Sequence, residues 1–237
     1  MESSHLRTSL AFKAIDADII AFQEMESFAG RGQNSANLTL DWLLENNPDY
    51  AAAAVGPTDV FPSTQPILYR RDLFEVQSQG WFFFSQMPDV IYSRTFNGSF
   101  PAFASWAQFK MRESDKVFRV INIHTDFRSR SNRLQSMELV AQRIRPWIDA
   151  DEDIFVVGDF NARKGAKTLS LVADTGITFA PVAGSTYHLN AGLNLFGSID
   201  HIGYTSNMQV DAGPFVVREK FENEWPTDHY PVIVDFR

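Results

Sequence analysis

Polar, titratable side chains stand at the ends of five apolar segments of this sequence. Glu24 follows DIIAFQ, His124 follows VINI, and Asp159 and Asn161 follow IFVV; Asp200 and His201 adjoin SI, and Asp228 and His229 precede YPVIV. A carboxylate or imidazole at the end of a buried strand is seldom left without a partner. Taken singly, each reads as a solvated turn residue or a hydrogen-bonded surface histidine. Taken together they read differently, because strand ends along one edge of a sheet converge in space. Oxygen donors from Glu24, Asp159, Asn161 and Asp228 with imidazoles nearby suit a hard divalent cation, Mg2+ first and Mn2+ or Ca2+ as alternatives.

Other chemistries are excluded. The chain has no cysteine, so it has no disulfide, no thiolate metal site and no cysteine nucleophile. It has no HExxH pattern for zinc, and no G-x-x-x-x-G-K-[ST], G-x-G-x-x-G or G-x-S-x-G. P-loop, dinucleotide-binding and serine-hydrolase readings therefore fall away.

The elements that must position these residues can be read from periodicity. Helices are predicted over Leu6–Ala17, Asn37–Glu45, Arg133–Ile148 and Lys167–Asp174, from apolar residues at helical spacing and from stop signals such as Asn46-Asn47-Pro48. Strands are predicted over Asp16–Gln23, Pro66–Arg70, Glu75–Gln79, Ala104–Met111, Lys116–His124, Asp153–Asp159, Ser198–Thr205, Val210–Val217 and Tyr230–Phe236. Few helices and many strands favour two stacked sheets flanked by helices over a doubly wound sheet. No repeat or Pro/Gly-rich linker divides the chain, so a single domain over 1–237 is expected. The strand pattern of Trp81, Phe82, Phe83, Phe84 and Trp106 predicts core packing rather than stacking on bases.

Composition sets the outer bounds. With 237 residues and 21 Phe there is ample material for a core. Against 29 acidic residues stand 21 Lys and Arg, a net charge of −8, which argues against a general nucleic-acid coat. It leaves open an enzyme that meets a phosphodiester locally. No apolar run approaches a membrane span and the start has no signal-peptide character, so the default expectation is a cytoplasmic monomer.

DADIIAFQEM, VINIHTDF, VVGDFNAR, SIDHIGYTS and WPTDHYPVIVDF, in that order, resemble the endonuclease/exonuclease/phosphatase superfamily from about Asp16 to Arg237. The resemblance implies an α+β fold, a four-layer α/β/β/α sandwich of two mixed β-sheets with flanking helices. It implies a metal-dependent phosphoesterase acting on a phosphate-ester substrate that includes nucleic acid among its candidates. It gives Glu24 the role of metal carboxylate and Asp228 that of a second one. His124 resembles the histidine that meets the phosphate or the leaving oxygen. Asp159 and Asn161 resemble the pair that orients the water and holds a transition-state oxygen, and Asp200 resembles the carboxylate that orients the catalytic His229. Arg94 and His188 stand in segments that resemble pocket-lining ones. Arg128 and Arg163, which follow His124 and Asn161, are candidate substrate-phosphate contacts.

Two departures from the pattern shape the expectations. The family's usual first strand, of the type TYN, has no counterpart, so the domain is expected to be truncated at its N-terminus. No carboxylate stands in Phe61–Ile67, where family members often carry a glutamate that partners the first histidine. These departures motivate the alternative of a catalytically weak or inactive family member kept as a binding or scaffold module.

Overall fold

The computed structural model describes residues 2–25 and 37–237, with side chains from residue 8 onward. In chain order the elements are α1 (Glu2–Ile15), β1 (Ile19–Ala21), α2 (Leu38–Asn46), β2 (Tyr50–Ala53), β3 (Ile67–Arg70), β4 (Phe74–Phe83), β5 (Phe103–Met111) and β6 (Val117–His124). Then follow α3 (Arg130–Asp149), β7 (Asp153–Asp159), α4 (Lys167–Ala173), β8 (Ile177–Phe179), β9 (Asp200–Thr205), β10 (Val210–Val216) and β11 (Val232–Phe236).

The central sheet has six strands in the order β4-β5-β6-β7-β9-β8. Its one parallel pair is β6–β7. That pair is joined by the 20-residue helix α3, the crossover that parallel neighbours require. The α3 N-terminus is set by Ser129, whose Oγ accepts the Asn132 N–H at 3.2 Å. Alternation along the strands then assigns two faces. Ile121, Ile123, Ile154 and Val156 meet Met137, Val140 and Ile144 of α3 and Leu169 and Val172 of α4. Phe109, Phe118 and Val120 turn the other way, onto Ala53, Ala54, Ile67 and Tyr69 of the second layer. Behind that layer, Phe12 of α1 and Leu40 and Leu43 of α2 cover Tyr50 and Leu68. The result is helix, sheet, sheet, helix, the sandwich the resemblance implied.

One detail differs from two mixed sheets. The second layer is antiparallel throughout and comes in two pieces, β1-β3-β2 and β10-β11. The smaller piece seats Phe236 on Phe155 and Tyr204, with ring centroids 4.8 and 5.0 Å apart. Phe82, Phe83 and Phe84 are fully buried, as their strand pattern predicted. Among the described residues no helix is long and apolar enough to cross a membrane.

Candidate active site

Register places the first three site residues in a row. His124 ends β6 opposite Asp159 of β7, and Asp159 stands opposite Asp200 of β9. Cross-strand partners share a face, so all three side chains point to the same side at the same end of the sheet. The close approach of β6 and β7 here depends on Gly158. Its φ is +127°, and a Cβ on it would lie 2.1 Å from the Ile123 carbonyl oxygen.

Glu24 reaches this row from the other layer. The pairing of β1 with β3 continues past the strand, with Phe22 N–H donating to Pro66 O at 3.1 Å and Met25 N–H to Thr64 O at 2.9 Å. Between those two anchors the backbone turns left-handed at Glu24, φ +52°. The turn carries its Oε1 to 3.3 Å from His124 Nε2, and the same nitrogen lies 3.9 Å from Asp159 Oδ2. The histidine thus finds its carboxylate partner in Glu24, with none needed from residues 61–67. Beneath it, Asn122 Oδ1 accepts from Gln23 Nε2 at 2.7 Å, and Asn122 Nδ2 donates to Phe22 O at 2.7 Å. Gln65, also buried, donates to the Phe103 and Asn122 carbonyls. This buried amide network holds the Glu24 segment to the central sheet.

Asp159 is gripped by its own loop. Its Oδ1 accepts the Asn161 N–H at 2.7 Å and its Oδ2 the Asn161 Nδ2–H at 3.0 Å, while Nδ2 also donates to Thr125 O at 2.9 Å. Asn161 adopts φ +45°, a left-handed conformation that asparagine tolerates better than most residues. His201 Nε2 lies 2.8 Å from the Ala162 carbonyl and ties down the next stretch. It is buried, with a pKa lowered by that burial, and its role is structural.

His229 Nδ1 meets Asp200 Oδ2 at 2.9 Å. Its segment is paired to the 186–188 segment through the Tyr187–His229 bridge, the Tyr230 N–H to Thr186 O bond of 2.6 Å and the His188 N–H to Asp228 O bond of 2.9 Å. Asp159, Asp200 and His229 each offer a donor atom within 4.8 Å of the others. Asp228 is not in that group; it is half-buried on the segment that carries His229. Glu24 also lies outside the group and approaches the same His124 nitrogen as Asp159.

The electrostatics follow from this crowding. Burial, then the charge of Asp200, push the Asp159 carboxyl up to about 8. Burial works against a charge on His229, but the hydrogen bond and charge of Asp200, with the charge of Asp159, outweigh it and lift the imidazole to about 9. Burial lowers the His124 pKa, and Glu24 only partly opposes it. One imidazole is thus kept charged and the other neutral.

The remaining sequence-derived candidates are placed as follows. Arg94 is exposed on the 84–102 loop between β4 and β5, which leaves the sheet at the His124 end. Arg128 is exposed with its guanidinium 5.0 Å over the Phe127 ring. Arg163 is exposed, and its stem passes beside Gly197. His188 is buried, its ring 4.0 Å from that of Tyr230 and 4.8 Å from that of Trp225, so it packs under the His229 segment and does not face the open edge. Sequence reasoning missed Asp126. Its Oδ1 accepts the Arg128 and Ser129 N–H groups, and its Oδ2 accepts from Asn97 and Ser99, joining the 94–99 loop to the start of α3. Burial raises its pKa, but those donors outweigh it and hold the carboxyl below its usual range. Asn122 was missed too, although a lone amide inside VFRVINI is a legible signal.

The carboxylates and imidazole gathered here fit a hard divalent cation by donor chemistry. Several solved structures share this arrangement of chain. A mannosyl-6-phosphatase from Bacteroides thetaiotaomicron superposes with a TM-score of 0.83 at 23% identity, over 99% of this chain and 91% of that one. An endonuclease/exonuclease/phosphatase family protein from the same organism gives 0.82 at 22% identity, over 98% and 89%. Another from Bacteroides vulgatus gives 0.81 at 22%, over 100% and 90%. No curated protein sequence matches the chain. The sequence profile of the Endonuclease/Exonuclease/phosphatase family matches residues 4–229. With nearly its whole length matched, the chain belongs to that family.

Proposed function

We propose that this protein hydrolyses phosphate esters with the help of Mg2+, phosphodiesters and nucleic acids being the first substrates to test. The observation that carries the reading is the His229–Asp200 pair, 2.9 Å apart, in the same cluster as Asp159 and within the row that Asp159 shares with His124. Glu24, with the gathered carboxylates, would hold the cation; Asp228, expected beside it, lies outside the gathered donors. When bound, Mg2+ polarises a non-bridging phosphoryl oxygen and offsets the charge that grows there.

The side chains do the rest. Asp159, gripped by the Asn161 N–H and side-chain amide, is held where it can take a proton from the attacking water. As the new P–O bond forms, that proton moves to Asp159; as the ester P–O bond breaks, the leaving oxygen takes a proton from the His229 imidazolium. Exchange with solvent resets both. Asp200 fixes the His229 ring and supports its charge. His124, kept neutral by burial, donates a hydrogen bond to a phosphoryl oxygen without bringing a second positive charge. The Asn161 amide, already engaged with Asp159 and Thr125, keeps the base aimed. Arg94, Arg128 and Arg163 on the surrounding loops meet flanking phosphates.

The test is release of phosphate or nucleotides from plasmid DNA, RNA and sugar phosphates, the last because a structural neighbour is a mannosyl-6-phosphatase. Activity should require Mg2+, vanish with chelator, and fall about 10²–10⁴-fold in His229→Ala. Turnover untouched by chelator and by that substitution overturns the reading. A protein that binds these substrates without turning any over would be a binding module instead.

A further inference from the structure

The two members of the His229–Asp200 pair lie 29 residues apart in the chain, Asp200 at the first position of β9 and His229 in the stretch that precedes β11. A third segment joins them. Thr186, fully buried, accepts two backbone donors on its Oγ1, the N–H of Ile199 at 3.0 Å and the N–H of Asp200 at 3.1 Å. Its own carbonyl accepts the Tyr230 N–H at 2.6 Å. One residue therefore holds the backbone of Asp200 through its side chain and the backbone next to His229 through its main chain. Tyr187 completes the contact by packing its ring 5.0 Å from the His229 ring.

Its neighbour does a parallel task elsewhere. Ser185, equally buried, accepts the N–H groups of Phe196 at 2.7 Å and Gly197 at 3.1 Å. Two adjacent hydroxyls thus take up four backbone donors in the approach to Asp200. Only the Thr186 hydroxyl reaches Asp200 itself.

We propose that Thr186 is the positioning residue of the His229–Asp200 pair, holding the two segments in the one register that keeps imidazole and carboxylate in contact. The proposal rests on the phosphoesterase reading for its kinetic consequence but not for its structural one. A buried hydroxyl that satisfies two N–H groups leaves both unpaired when removed, and the 199–200 backbone must then shift to find other partners. A displacement of about 1 Å between catalytic groups costs on the order of 10²-fold in rate.

Two readouts test it, on Thr186→Val, Thr186→Ser and Ser185→Ala. The first is the low-field Nδ1 proton signal of His229 in the NMR spectrum, a signature of its bond to Asp200 that needs no turnover. It should broaden or disappear in T186V, persist in T186S and persist in S185A. The second is kinetic: T186V should lose about 10²-fold in kcat with KM little changed, T186S should recover most of it, and S185A should keep kcat while melting at a lower temperature. Should T186V not fold, Thr186→Cys takes its place: the thiol is a weak acceptor, so its proton signal and kcat should fall below those of T186S, and equality of the two variants overturns the proposal. The proposal fails if the proton signal and kcat survive in T186V, or if S185A and T186V lose kcat in proportion to their loss of stability. A wild-type chain without turnover sinks the phosphoesterase reading alone, because the proton signal still reports on Thr186.

Discussion

Two acids and an imidazole within 4.8 Å cannot all carry their ordinary charges, and the sign of each compromise can be tested. His229 has its pKa raised to about 9, so in the metal-free protein it adds stability that is full below the unfolded value of about 6.5 and is lost as pH rises through about 9. Asp159, raised to about 8, behaves the same way from a lower start, its contribution being full below its unfolded value and lost as pH climbs to about 8. Metal-free protein should therefore melt at steadily lower temperature between pH 5 and 9, measured by calorimetry. Asp159→Asn should flatten that curve and raise the melting temperature at its alkaline end, because an asparagine oxygen can still accept the Asn161 N–H. A steeper curve in that variant would refute the assignment. Asp200→Asn should act on both partners, lowering the Asp159 carboxyl pKa as well as that of the His229 imidazole. With burial left and its carboxylate partner gone, the imidazole pKa should fall below the ordinary histidine range in an NMR titration, with a loss of about 10²-fold or more in kcat.

Among the elements, β6 and β7 carry most of the site, and their spacing is the feature least open to change. A Cβ at Gly158 would sit on the Ile123 carbonyl at a backbone angle that alanine avoids. Gly158→Ala should cost about 3 kcal/mol or more by chemical denaturation, with soluble activity falling in step. Asn122→Leu tests the other support. It strips the amide that joins β6 to the Glu24 segment, leaving buried partners on Phe22 and Gln23, and should cost about 1–3 kcal/mol. These two strands were also the most legible part of the sequence, since VFRVINI and DIFVVGD are short apolar runs with abrupt polar ends. Strand β2 was not legible, because YAAA has little β-branched or aromatic character and pairs only through β3. Nor was the three-residue β8, too short to show a period. Of the site, the residues at strand ends could be listed from the sequence. The resemblance paired Asp200 with His229, but the contact of His124 with Glu24 could not be read, because it depends on a left-handed turn at Glu24.

For the molecule as a whole, a net charge of −8 sets an acidic background against which any anionic substrate must be captured locally. The strand registers put the loops 84–102, 125–129 and 160–166 at one end of the six-stranded sheet, and these carry Arg94, Arg128 and Arg163. Removing one such cation, as in Arg163→Ala, should raise KM for a polyanionic substrate several-fold, leave kcat near its starting value, and weaken the dependence of KM on salt. The same acidic crowding would decide how the fold responds to a divalent cation. A divalent ion binds the ionised carboxylates, so at pH 6, where Asp159 holds its proton, binding must displace that proton; at pH 8 much less of this cost remains. Affinity should weaken about tenfold per pH unit below 8 if one proton is released. At a concentration a hundred times the dissociation constant, binding contributes about 2.7 kcal/mol, which for a chain of this size raises the melting temperature by about 5–10 °C. Calorimetry with and without Mg2+ at the two pH values should therefore show a clearly larger rise at pH 8 than at pH 6. Equal shifts would mean that the ion binds away from Asp159. No shift at either pH, in a protein whose activity chelator abolishes, would mean that the cation arrives with the substrate and is not held by these side chains in the free protein.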